Sequence, residues 1–276
     1  MNRRKQKNMS KYFYLLLLAV LFSSCNEYQK ALKSDDVKYQ YEVAVKLYEE
    51  GKYNKVITLA EKLKPVLKGK PSAQKLFYVY AKSMYFKKQY YNAAYEFGSF
   101  VNTYPKSDVK EEAAFLAAKS RYMLSPVYSK DQADTYVAVA ALQSFIDTYP
   151  ESQYMDEANQ LARELREKLE KKAFEIARQY HLTADFFGDY AAAIKTFDNF
   201  LIDFPGTKLK EDALYYKFDS SYRLAMNSIA SKKEERLENA IANYKALVKF
   251  NGETKYRKEV DEMFAAIETE LQKFSK

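Results

Sequence analysis

The sequence predicts an all-α protein, a solenoid of about five helix–turn–helix repeats closed by a C-terminal capping helix. Three observations predict it. Apolar residues recur at spacings of three and four, which marks one face of a helix; Tyr90, Ala93, Phe97 and Phe100 are one such set. One phrase returns three times, as FVNTYPKSD from Phe100, FIDTYPESQ from Phe145 and FLIDFPGTK from Phe200. A second phrase returns upstream of these: Ala81–Lys82–Ser83–Met84–Tyr85 matches Ala118–Lys119–Ser120–Arg121–Tyr122, with Phe218–Asp219–Ser220–Ser221–Tyr222 as a looser copy.

The chain opens on an address. Arg3, Arg4, Lys5, Lys7 and Lys11 stand in a stretch without an acid, and Tyr12–Phe22 is an apolar run. Ser23, Ser24 and Cys25 follow. A basic segment, a short apolar segment and small residues make a secretory signal. The run is too short for a mature transmembrane helix. LFSSC, which holds the chain's one cysteine, resembles a bacterial lipobox, with Phe22 where an aliphatic residue is usual. The expectation is removal of residues 1–24, lipidation of Cys25, a linker over 25–38 and a repeat domain over 39–276. A secreted protein with an unpaired thiol is the alternative. The formal charge of +8 belongs mostly to the leader, which holds five of the 45 basic residues and none of the 37 acids. A nucleic-acid partner is therefore not expected.

Each repeat is justified in turn. Gly51, Tyr53, Val56, Ala60 and Leu63 mark the trailing helix of a first unit over 39–67. The Tyr90 set precedes Pro105 and closes a second over 72–105. Ala138, Leu142 and Phe145 precede Pro150 in a third over 109–150, with a loop around Ser125–Asp131. Gly188, Tyr190, Ala193, Phe197 and Phe200 precede Pro205 in a fourth over 172–205. Leu237, Ala240, Tyr244 and Leu247 serve a fifth over 210–252, and Val260, Phe264, Ile267 and Leu271 predict the cap over 256–274. Small residues mid-helix permit close crossings. Pro105, Pro150 and Pro205 each end the trailing helix before them. Ser107, Ser152 or Thr207 then caps the next helix, with Glu111, Asp156 or Glu211 in its first turn. Gln153–Phe187 has no Pro or Gly, which predicts one lengthened helix.

These units resemble the tetratricopeptide repeat, which implies a right-handed superhelix whose leading helices line a concave side. Such a side binds segments of other proteins. Aligning the leading helices places Tyr41 and Tyr48, then Tyr78, Lys82, Tyr85 and Phe86, then Phe115, Lys119 and Tyr122, then Tyr215, Asp219 and Tyr222 along a candidate groove. A tyrosine stripe at helical spacing also fits a core; with 26 Tyr and no Trp, some must pack. The lone His181 sits where a small residue is usual and reads as a packed or rim side chain. One His and one Cys leave no metal site, no glycine-rich phosphate loop is present, and no acid pair stands out for catalysis. The expectation is a non-catalytic protein without cofactor or metal.

YNAAYEFGSFVNTYPKSD, SPVYSKD before FIDTYPESQYMDEA, and GDYAAAIKTFDNFLIDFPGTK before EDAL, together with the lipobox, resemble the BamD/ComL family of outer-membrane assembly lipoproteins. The resemblance covers nearly all of the mature chain. It implies a scaffold on the periplasmic face of the outer membrane, anchored by its lipid. Its partners would be a BamA-like insertase, other subunits of the assembly complex and unfolded outer-membrane proteins. The C-terminal units would meet the insertase, and the N-terminal units the clients. A lipid-anchored repeat adaptor for periplasmic cell-wall or division proteins is the alternative.

Overall fold

The computed structural model describes residues 27–274; the leader and Cys25 lie outside the described residues. Within them every regular element is helical and no strand occurs. A short helix α1 spans 27–33. Then follow α2 (Val37–Glu49), α3 (Tyr53–Leu67), α4 (Gln74–Phe86, entered through a 3-10 turn at Pro71–Ala73), α5 (Tyr90–Thr103), α6 (Lys110–Tyr122) and α7 (Ala133–Thr148). The 33-residue α8 (Met155–Phe187) leads to α9 (Tyr190–Asp203), α10 (Lys210–Met226), α11 (Ala230–Phe250) and α12 (Arg257–Leu271).

The chain divides into two compact units. The first takes the residues up to Pro126 with Gln132–Leu165; the second takes Val127–Asp131 with the residues from Arg166 onward. In the first, Leu47, Leu63, Leu76, Phe97 and Phe100 form one core. Phe115, Leu142, Phe145 and Leu165 form another. In the second, Phe174, Phe197 and Phe200 make a small core, while Phe218, Leu237, Leu247, Val260 and Ile267 make a larger one under α12. Ala60, Ala93, Ala138, Ala193 and Ala240 are all fully buried. At those positions neighbouring helices approach closely, and a larger side chain would hold them apart.

The repeated phrase has one backbone shape. Tyr104, Tyr149 and Phe204 end α5, α7 and α9 with φ/ψ of −121/64, −129/64 and −127/64 degrees. Each donates its N–H to the phenylalanine four residues back, at 2.9, 3.0 and 3.0 Å. The next residue is proline, which cannot continue the ladder.

One expectation needs correction. Ser107, Ser152 and Thr207 do not cap the helices they precede. The first residues flanking α6 and α10 are Val109 and Leu209, without a side-chain cap. The hydroxyls instead accept the N–H two residues on, from Val109, Tyr154 and Leu209 at 3.3, 3.1 and 2.9 Å. That closes a Ser/Thr turn just ahead of the helix. The acids also act further afield than their own first turns. Glu111 on α6 accepts from Ser152 beyond α7, and Glu211 on α10 accepts from Thr254 beyond α11. Each carboxylate clasps the far end of its own hairpin. In the first unit α3 ends at Leu67, the expected bound, with Pro65 inside the helix.

The tight turn inside a unit is left-handed. Gly51 (φ 71°), Lys88 (φ 60°) and Gly188 (φ 70°) occupy it after α2, α4 and α8. Backbone bonds from Lys52 to Leu47 and from Gln89 to Met84, both 2.9 Å, close Schellman-type ends. Nothing lies within 4 Å of a Cβ built on Gly51 or Gly188, so dihedral freedom rather than space favours glycine there.

Candidate partner-binding surface

In the first unit the leading helices join their aromatic residues into a run. Tyr48 of α2 meets Tyr53 of α3 at 5.9 Å between ring centroids. Tyr53 stacks on Phe86 of α4 at 4.8 Å, Phe86 meets Tyr85 at 6.1 Å, and Tyr85 meets Tyr90 of α5 at 5.5 Å. Phe86 is exposed and the other four are partly buried. Tyr48, Tyr85 and Phe86 were expected here; Tyr53 and Tyr90 were not. Their signal was available, since both open trailing helices directly after a left-handed turn. Tyr41 packs half-buried against the first core, apart from this run.

The interleaved lysines bind acids on the next leading helix. Lys82 of α4 lies 2.9 Å from Glu112 of α6 and 5.2 Å from the Tyr78 ring centroid. Lys119 of α6 lies 2.6 Å from Glu157 of α8 and 5.6 Å from the Phe115 ring. Burial opposes ionisation of Glu112, but contacts with Tyr78 and Lys82 outweigh it and hold the carboxyl below its usual range. Burial, then Glu112, keeps the Tyr78 phenol protonated, and burial does the same for Tyr48 and Tyr85. The Tyr78 hydroxyl is buried without completing a hydrogen bond of normal geometry. Tyr122 donates to Glu164, which with burial pushes its phenol up to about 12.

Three expected groove residues are withdrawn by burial. Phe115 is stacked on Tyr154 at 4.7 Å inside a core. Tyr215 is stacked on Tyr256 at 3.7 Å and donates to Glu259 at 2.8 Å. Asp219 is buried in a charged cluster in the second unit. A side chain with no surface cannot meet a partner. Tyr222 stays half-buried against the α10–α12 core.

That cluster centres on His181, which is buried as expected. Its Nδ1 lies 2.9 Å from Ser220 Oγ, and its Nε2 lies 3.3 Å from Asp219 Oδ2. Asp219 also accepts from Arg223 Nε at 2.8 Å; Arg223 reaches Asp185 at 3.5 Å, and Asp185 accepts from Tyr190. Sequence reasoning found no serine partner for His181, because α10 supplies it from 39 residues away. Hydroxyl, imidazole and carboxylate in a row suggest a nucleophile, but Ser220 does not meet its requirements. It is fully buried, and its hydroxyl donates to the Tyr216 carbonyl at 2.7 Å. An activated serine needs an exposed oxygen beside its base. Burial, ahead of the attraction of Asp219 and the repulsion of Arg223, lowers the His181 pKa and favours the neutral ring.

Two grooves escaped the sequence reading. In the second unit α9, α10 and α11 enclose a volume of about 400 Å³ lined by Lys195, Lys217, Arg236, Asn239 and Asn243. Lys217 is paired there with Asp198 at 2.6 Å, so basic groups remain in excess. In the first unit α5, α6 and α7 enclose about 280 Å³ at the corresponding place, lined mainly by Gly98, Ala114, Ala117, Ala141 and Ser144. Among the described residues no three His, Cys, Asp or Glu side chains group to hold a metal ion. No described helix is long and apolar enough to cross a membrane.

Known proteins can now be set beside this arrangement. Residues 33–237 match the profile of a family described as YfiO, outer membrane lipoprotein. A protein of Aquifex aeolicus (strain VF5), named as an outer membrane protein assembly factor BamD, is 30% identical over 264 residues, which are 95% of this chain and 84% of that protein. Among solved structures, the TPR2AB domain of yeast Sti1 in its pHSP90 complex is 14% identical, covers 84% of this chain and 98% of that one, and has a TM-score of 0.39. A kinesin light chain from Podospora anserina with TPR-like repeats is 15% identical, covers 86% and 96%, and has a TM-score of 0.31. At these TM-scores neither structure bears on function. The family profile spans α2 to α10 and with them the aromatic run of the first unit, and the chain belongs to the YfiO family of outer membrane lipoproteins.

Proposed function

We propose that this chain is a non-catalytic, lipid-anchored scaffold for assembling outer-membrane β-barrel proteins. Cys25 holds it to the periplasmic face of the outer membrane. The second unit docks a BamA-like insertase, and the first receives unfolded barrel clients. The observation that carries this reading is the connected aromatic run of Tyr48, Tyr53, Phe86, Tyr85 and Tyr90. Rings with large area, few rotors and polar tips can hold an apolar, aromatic segment weakly and let it go. The neighbouring lysines are already bound to acids, so the run selects for apolar character rather than charge. The excess of basic groups between α9 and α11 supports an acidic patch on the docking partner. The name of the Aquifex relative supports the assembly role.

Titration of the mature chain with a fluorescent peptide copying the C-terminal strand of an outer-membrane barrel protein tests the client site. Saturable binding that weakens at least five-fold in Phe86→Ser is expected. Binding indifferent to Phe86→Ser and Tyr85→Ser would remove the aromatic run from the account.

A further inference from the structure

The leading helices share one register. Ala81, Ala118 and Phe218 correspond through their repeated phrase, and the left-handed turn at Lys88 and Gly188 sets His181 level with Ala81. Three positions on this register face the trailing helix of the preceding unit. At the first, Leu76, Ala113 and Ala213 are fully buried; at the third, so are Ser83, Ser120 and Ser220. At the middle position, Tyr80 lies under Lys64 of α3 at 5.5 Å and Lys217 pairs with Asp198 of α9. Ala117 lies beside Gly98 and Val101 of α5. Thus α3, α5 and α9 cover this stripe on α4, α6 and α10.

On α8 the same stripe is Ile176, Tyr180 and Thr183, continued one turn later by Phe187. Ile176 is 42% exposed, Tyr180 48% and Phe187 80%, with Phe186 beside it at 88%. No trailing helix precedes this segment, because α8 arrives as one continuous helix from Met155. A hollow of about 290 Å³ lined by Ile176, Gln179, Tyr180 and Thr183 lies on the stripe.

We propose that this stripe is a seat for one amphipathic α-helix of a partner protein, which takes the place a preceding trailing helix holds elsewhere in the chain. The trailing helices α3, α5, α7 and α9 are 15, 14, 16 and 14 residues long, which sets the occupant at about four turns. Its chemistry is apolar along one face. The charges bordering the seat are already committed: Arg178 to Glu175, Asp185 to Arg223, Lys172 to the Lys130 carbonyl, and Asp189 to the N–H of Ala192. A helix satisfies its own backbone hydrogen bonds and so asks only apolar contact of such a seat. A few large side chains offer several hundred Å² at most, short of the roughly 800 Å² a side typical of a stable interface. A single docked helix fits that area better than a dimer of this chain.

The probe is a lactam-stapled, fluorescein-labelled peptide copying α3, Tyr53–Leu67, because the stripe α3 covers, Leu76, Tyr80 and Ser83, matches Ile176, Tyr180 and Thr183 most closely. Anisotropy titration against the full mature chain is expected to saturate in the micromolar to millimolar range. Ile176→Ser with Tyr180→Ser, or Phe187→Ser alone, is expected to weaken binding at least ten-fold, while Ile202→Ser on exposed α9 leaves it unchanged. Circular dichroism melts check that each variant folds. Absence of saturable binding, or equal binding by the α8 variants, overturns the proposal. Sedimentation showing a dimer of the chain that Phe187→Ser abolishes also overturns it, since the occupant would then be a second copy.

Discussion

His181 shows how far one residue's meaning depends on residues distant in sequence. Alone in the sequence it is a packed histidine; in the structure it joins α8 to α10 through Ser220 and Asp219. Its pH behaviour follows from its surroundings. Burial, the leading cause, lowers its pKa; Asp219 and Asp185 pull it up, and Arg223 and Arg178 push it down. The unfolded chain titrates this group near 6.5. A depressed folded value means the histidine's contribution is full above about pH 6.5 and is lost as pH falls through the folded value, because the unfolded chain then binds the extra proton. The melting temperature should therefore drop more between pH 7.5 and 5.5 in the native chain than in His181→Gln. Equal drops measured by calorimetry would assign the acid sensitivity to other groups. The same dependence on distance explains why Phe115, Tyr215 and Asp219 looked available in the sequence. Helical spacing says which residues share a face; only the neighbouring helix decides whether that face is covered, as Tyr154 and Tyr256 cover Phe115 and Tyr215.

At the scale of elements, the helix ends were the most legible part. Proline after an aromatic residue prescribes a stop, and Tyr104, Tyr149 and Phe204 adopt one backbone conformation there. What those ends bind was not legible, because Ser152 and Thr254 reach acids 41 and 43 residues away. Thr254→Val removes a hydroxyl donor to Glu211 and should cost about 1.5–3 kcal/mol, as expected for a hydrogen bond to a charged group. Urea unfolding reads this, and Thr254→Ser should recover most of the loss. The turn after α4 gives the opposite case. Lys88 holds a left-handed dihedral where Gly51 and Gly188 hold it elsewhere. A side chain costs about 1–2 kcal/mol in that region, partly offset by the entropy glycine loses on folding. Lys88→Gly should therefore stabilise by about 0.5–1 kcal/mol, seen as a higher midpoint in urea. Gly188→Ala should destabilise by a similar amount from conformation alone, since no atom crowds the site.

For the whole molecule, the repeat phrases made the all-α class and the long α8 readable. The grooves between helices were not, because they depend on what small side chains such as Gly98, Ala114 and Ala117 leave unfilled across three elements. The exposed stripe on α8 was hidden for a related reason. Ile176 and Tyr180 sit four residues apart on one helix face, and only the absence of a preceding trailing helix leaves them open. The proposed function takes Cys25 as the anchor, in keeping with membership of an outer membrane lipoprotein family. Cys25→Ala should shift the protein from the membrane to the soluble periplasmic fraction on envelope fractionation. Two or more acyl chains hold stably, whereas the bare chain has no described helix able to span a bilayer. Retention of the variant after high-salt and urea washes would argue against the anchor. The central claim, a scaffold for barrel assembly, is tested most directly by purifying the lipidated protein from gently solubilised envelopes and identifying by mass spectrometry what stays bound in stoichiometric amount. The account predicts a large barrel protein carrying repeated periplasmic domains. Cell-wall synthases or division proteins in its place would contradict it.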